Sequence, residues 1–123
     1  LSGAVMVTLP QAVSIEDASR GMGMFRTLEV PILGVIENMT GDVFGQGGGE
    51  ALAKAADVPY LGSVPMNAFV RLAGDQGQPT IIAQPDSDAA KAMQTISETI
   101  AAAISVAALQ GESGQSLKIS ITD

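Results

Sequence analysis

The 123-residue sequence contains no cysteine and no histidine. Disulfides, thiolate or imidazole metal ligation, cysteine nucleophiles and imidazole general bases are therefore excluded within these residues. Tryptophan is missing too, and one Tyr and three Phe supply all the aromatic rings, which leaves few platforms on which exposed bases could stack. Cations are scarce: six Lys and Arg stand against thirteen Asp and Glu, a formal charge of −7. A nucleic-acid surface needs a basic stripe to displace counterions from phosphates, so no nucleic-acid partner is expected. Long apolar runs are lacking as well. The longest, 100-IAAAISVAAL-109, is about half of what a helix needs to cross roughly 30 Å of hydrocarbon, and no membrane span is expected. No secretory-signal pattern is present, although the chain opens on Leu1 and not on Met.

What is there suits one domain or a piece of one, because 46% hydrophobic residues are enough for a core. The run 3-GAVMVT-8 is apolar and β-branched, and Leu9-Pro10 closes it, since proline ends ladder pairing. It predicts a buried strand. In 14-SIEDASRGMGMFRTL-28 the residues Ile15, Ala18, Met22, Phe25 and Leu28 recur at helical spacing, with Ser14 expected as N-cap. Gly21 and Gly23 inside that helix predict close packing against a neighbour. Further strands are expected over 32-ILGVIE-37 and 60-YLGSV-64, and further helices over 51-ALAKAADV-58 and 67-NAFVRLAG-74. Turn chemistry in 75-DQGQP-79 precedes an apolar 80-TIIA-83. The clearest helix is 86-109, where Met93, Ile96, Ile100 and Ile104 form one stripe and Asp86 and Asp88 sit at the positive end.

Strand and helix alternate, and the strands are apolar on both faces. That pattern predicts an α/β fold: a parallel sheet with helices on both faces. Residues 1-109 form the domain unit, and 110-123 read as tail or linker with a possible edge strand at 117-LKISIT-122. Three strands leave a free edge that another chain or segment has to cover.

The glycine-rich 45-GQGGGEALAK-54 invites a phosphate-loop reading, and two patterns oppose it. A Walker-type loop needs Gly-Lys-Ser/Thr, which is absent here, and a dinucleotide loop follows its strand directly, whereas here residues 37-44 intervene. Glu50 in the first helical turn would also repel phosphate. The run therefore reads as a flexible connector into a helix. Ligands of open parallel sheets sit beyond the carboxyl ends of the strands, here 8-TLPQ-11, 37-ENMT-40 and 64-VPMN-67. An Asn after a strand offers an acceptor and two donors to a purine edge, and a Pro-Met pair offers an apolar surface to its face. On the residues alone Asn38 reads as an ordinary turn residue and Pro65 as a strand stop, and their joint occurrence on successive strand ends adds weight to the site reading.

The stretches 4-AVMVTLPQAVSIEDASRGMGMFRTLEVPILGVIENM-39, 44-FGQGGGEALAKAADVPYLGSVPMN-67 and 74-GDQGQPTIIAQPDSDAAKA-92 resemble the C-terminal half of the Mrp-type iron-sulfur cluster carrier ATPases. These are deviant Walker proteins of the MinD/ParA group. The elements V-T-x-P-Q, V-P-x-L-G-x-x-E-N-M, F-G-x-G-G and P-D-S occur in the family's order, and the likeness runs from Gly3 to about Val106. The resemblance implies the C-terminal half of a Rossmann-like P-loop NTPase domain, ATP with magnesium as cofactor in the complete protein, slow ATP hydrolysis, a cytoplasmic homodimer, and delivery of a labile cluster to apo iron-sulfur proteins.

Carried over by position, Asn38 is the base reader, while Pro65, Met66 and Asn67 pack on the base. Asn67 replaces the family's usual Asp. No catalytic and no metal-binding residue carries over, because the family's Walker A loop and switch carboxylates lie in the other half, so this chain alone is expected to be inactive. Where the family inserts a Cys-x-x-Cys segment, only 40-TGDV-43 stands, which makes cluster binding by these residues doubtful. Two rivals stay open at this point: a MinD/ParA-type partitioning or positioning ATPase without a cluster, and a non-catalytic α/β interaction module.

Overall fold

A computed structural model describes residues 3–122, with side chains through Leu109. Strands β1 (Ala4–Thr8), β2 (Ile32–Thr40) and β3 (Tyr60–Pro65) alternate with helices α1 (Ala12–Thr27) and α2 (Gly48–Ala56). Helices α3 (Ala68–Asp75), α4 (Thr80–Ala83) and α5 (Asp88–Thr122) follow β3. All strand pairing is parallel in the order β1-β2-β3, so the two-sided apolar runs of the sequence belong to an α/β sheet as expected.

Successive β2 side chains serve opposite faces, as strand geometry requires. Val35, fully buried, joins Ala18 and Met22 of α1 and Leu52 and Ala53 of α2 on one face. Ile36 turns to the other face, where Val64 of β3 packs with Ala89 and Ile96 of α5. By length and composition Asp88–Leu109 would pass for a bilayer-crossing helix. In the fold Ala89 and Ala90 are fully covered and Ile96 sits against Gly62 of β3, so this part of α5 serves as the lid of the second face. That lid stops short of β1, and Val7 stays exposed.

Four local readings need correction. Ser14 is not the N-cap of α1: the helix starts at Ala12 after Gln11, and the Ser14 hydroxyl instead accepts from Leu9 N–H and pairs with Thr8 Oγ1. The chain turns at Leu9-Pro10, and the serine is spent on closing that turn. Close packing holds for Gly21, where a Cβ would lie 3.0 Å from Met6 Cε, but Gly23 faces open space. The glycine run is no flexible connector, because Gly48 and Gly49 already form the first turn of α2. Finally, α5 continues as helix through Thr122, in place of the linker and strand expected there. A helix satisfies its own backbone hydrogen bonds without a partner strand.

Two alanine substitutions separate packing from propensity. A Cβ at Gly49 would sit 2.9 Å from Glu37 Cβ, and Gly49→Ala should cost about 1–3 kcal/mol by overpacking. Gly23→Ala, with nothing within 4 Å, should be neutral or stabilising by up to about 1 kcal/mol. Urea midpoints of the two variants check this, and equal losses at both positions would contradict it.

Candidate functional site

The carboxyl ends of the strands are organised by one side chain. Glu37 on β2 is 1% exposed, among the most buried residues of the fold. Its Oε1 accepts from the Gly47 amide at 2.9 Å, and its Oε2 accepts from the Gly49 amide. These are free N–H groups at the start of α2, where the helix dipole also favours a negative charge. Three consecutive glycines permit the contact for three separate reasons. Gly47 has φ 99°, a Cβ at Gly48 would meet the Pro10 carbonyl at 2.8 Å, and one at Gly49 would meet Glu37 itself. The run is thus an anion cradle in geometry, and the anion it holds is the protein's own carboxylate. Nearby, burial raises the Tyr60 hydroxyl above its ordinary pKa; a Ser63 hydrogen bond opposes the rise, and the Glu37 and Glu50 charges add to it.

The other face of the same strand ends is open. A cavity of about 540 Å³ lies between the ends of β2 and β3, α3 and α5, within the range of small-molecule sites. Asn38, Pro65, Met66 and Asn67 all line it, so the four candidates read from the sequence come together. The third strand end does not join them: Thr8 is buried, with its hydroxyl engaged by Ser14 and the Leu9 carbonyl.

The two asparagines are committed unequally. Asn38 Oδ1 accepts from the Met39 amide at 3.0 Å, and Met39 takes φ 59°. Asn67 Oδ1 accepts from the Phe69 amide at 2.8 Å and so caps α3. Among the described residues neither NH₂ group has an acceptor, so each side chain has it left to donate, with only part of its acceptor capacity remaining. The walls are Val64, Pro65, Met66, Val70 and Met93, a surface suited to the face of a flat ring.

Four lining residues, Ala68, Val70, Arg71 and Met93, lie outside the strand ends that the sequence singles out. Arg71 follows Asn67 by one helical turn on α3, and that spacing was available to find it. Met93 was read only as part of the core stripe of α5. A separate depression of about 300 Å³, lined by Arg26, Glu29, Val30, Pro31, Ile32 and Val58, lies at the amino ends of β2 and β3.

A family model for the ParA-type NUBPL iron-transfer P-loop NTPases matches residues 1–101. The chain belongs to this family. Within it, the chain is 44% identical over 120 residues to an iron-sulfur cluster carrier protein of Synechocystis, covering 89% of this chain and 34% of that protein. The mouse iron-sulfur cluster transfer protein NUBPL is 39% identical over 110 residues, covering 81% and 34%. The Escherichia coli iron-sulfur cluster carrier protein is 36% identical over 112 residues, covering 83% and 30%. The chain thus spans about a third of the length of these curated relatives.

Among solved structures, the cell division ATPase MinD of Pyrococcus furiosus superposes with a TM-score of 0.72 at 26% identity, over 80% of this chain and 42% of that one. MinD of Pyrococcus horikoshii, determined with Mg-ADP, gives the same score and identity, over 80% and 41%. The family resemblance carried by the motifs and the α/β fold are both as expected.

The cap on α3 offers a direct check of the geometry. Asn67→Ala should cost about 0.5–2 kcal/mol of stability, and Asn67→Asp should keep the cap and most of that stability. Denaturant titration reads both variants, and an unchanged midpoint for the alanine variant would remove the capping role.

Proposed function

We propose that this chain is the adenine-recognising part of an Mrp-like, ATP-binding iron-sulfur cluster carrier or assembly protein. The observation that carries the reading is the single cavity shared by Asn38, Pro65, Met66 and Asn67 at the carboxyl ends of β2 and β3. Its apolar walls suit the two faces of a purine, and the free amide groups suit the edge. The superposition on a MinD chain determined with Mg-ADP supports the same assignment.

The residues present fit a base and do not fit the rest of the nucleotide. Among the described residues no carboxylate lines the cavity to meet magnesium, and Arg71 is the one cation there. On this reading the cavity lining orients the base and excludes water from its faces, and it supplies no group for magnesium. Iron-sulfur clusters enter the reading as cargo. With no Cys or His in the chain, its share of the carrier's work is on the nucleotide side and not in thiolate ligation. We further propose a cytoplasmic homodimer whose partners are apo iron-sulfur proteins.

A second reading, a MinD-type ATPase that handles no cluster, draws on one observation. Where the family's cysteine segment would stand, Gly41 and Gly45 exchange two backbone hydrogen bonds and close a tight turn.

The deciding variant is Asn38→Ala in the complete protein. It should cost about 1–3 kcal/mol of ATP binding by leaving groups of the base unpaired, and it should narrow the preference for ATP over GTP. Calorimetry with both nucleotides measures this, and an unchanged preference returns Asn38 to being a turn residue.

A further inference from the structure

Glu37, a buried carboxylate held by two backbone amides, lies apart from the cavity. Its place on β2 gives it a task. Thr8 of β1 pairs with Glu37, and no later residue of β2 has a β1 partner. From Asn38 onward the strand leans on β3 alone, through Asn38↔Val64 and Thr40↔Pro65, with an irregularity between them where Met39 takes its positive φ. Glu37 is thus the last residue of β2 supported on both sides, and Asn38 is the first that is not.

The chain then leaves the sheet, turns between Gly41 and Gly45, and returns at Gly47 and Gly49 to the Glu37 carboxylate. That carboxylate joins the last doubly paired residue of β2, next to Asn38, to the far end of the excursion that follows Thr40. Met66 N–H donates to the Thr40 carbonyl at 2.9 Å and ties the same excursion to the Pro65–Asn67 wall.

We propose that Glu37 is a positioning residue for base selection, fixing Asn38 from the opposite face of the sheet through its grip on the Gly47 and Gly49 amides. This rests on the base-reading role of Asn38. Glu37 lines no part of the cavity and acts only through the backbone. Ionised, it accepts from both amides at once. A glutamine there keeps one acceptor oxygen, and an alanine keeps none.

The test is a double-mutant cycle in the complete protein, reading dissociation constants for ATP and for GTP. Glu37→Ala should reduce the ATP-over-GTP ratio about fivefold or more, Glu37→Gln should recover part of it, and Glu37→Ala should add little once Asn38→Ala is present. A merely structural role would weaken both nucleotides alike and leave the ratio intact. Should Glu37→Ala not fold, Glu37→Gln and Gly49→Ala, which crowds the same carboxylate, decide by the same ratio. A ratio altered by Asn38→Ala and untouched by every change at Glu37 and Gly49 overturns the positioning role while leaving the base reader in place. A ratio that Asn38→Ala itself leaves unchanged removes the base reader, and this inference with it.

Discussion

A buried carboxylate lying across the first amides of a helix is the constraint around which this fold is arranged. Moving an ion out of water is costly, and Glu37 is tolerated because two N–H donors and a helix terminus replace its hydration. The contact has demands of its own. Gly47 has to take φ 99°, and Gly48 and Gly49 have to be bare, since side chains there would strike Pro10 and Glu37. One acidic residue on β2 thereby dictates the glycine run ten to twelve positions later, the start of α2, and the length of the excursion between them.

The same contact divides labour between the faces of the sheet. On the α1 and α2 face the strand end is filled by protein: Glu37, the glycine turn and the Val35 core close it. On the α5 face the strand end stays open as the cavity behind Asn38 and Pro65. The occupied amides and the open cavity thus lie on opposite sides of β2. A glycine-rich turn before a helix signals phosphate only when its amides are free, and here a side chain already occupies them.

Much of the architecture was legible because it follows from local chemistry. The runs 3-GAVMVT-8 and 32-ILGVIE-37 are apolar on both faces and became the parallel strands, and the stripe around Ile96 became the lid of the second face. The strand ends holding Asn38 and Pro65 could be singled out because that is where open sheets leave room, and a cavity lies there. What stayed hidden depends on partners distant in sequence. Ser14 looks like a cap until Leu9 and Thr8 fold back onto it. Glu37 looks like the polar end of a strand until the glycine turn returns to it. The tail at 117–122 alternates like a strand, yet the backbone there continues α5.

The central claim is that the glycine turn is satisfied internally while the neighbouring cavity is the ligand site. Backbone and side-chain amide NMR of this chain, titrated separately with adenosine nucleotide and with inorganic phosphate, tests it most directly. The account predicts shifts at the side-chain amides of Asn38 and Asn67 and at the Met66 backbone with the nucleotide, and still signals for Gly47 and Gly49 with either ligand. Phosphate-dependent movement of the Gly47 and Gly49 amides, with Asn38 and Asn67 unmoved by nucleotide, would contradict it.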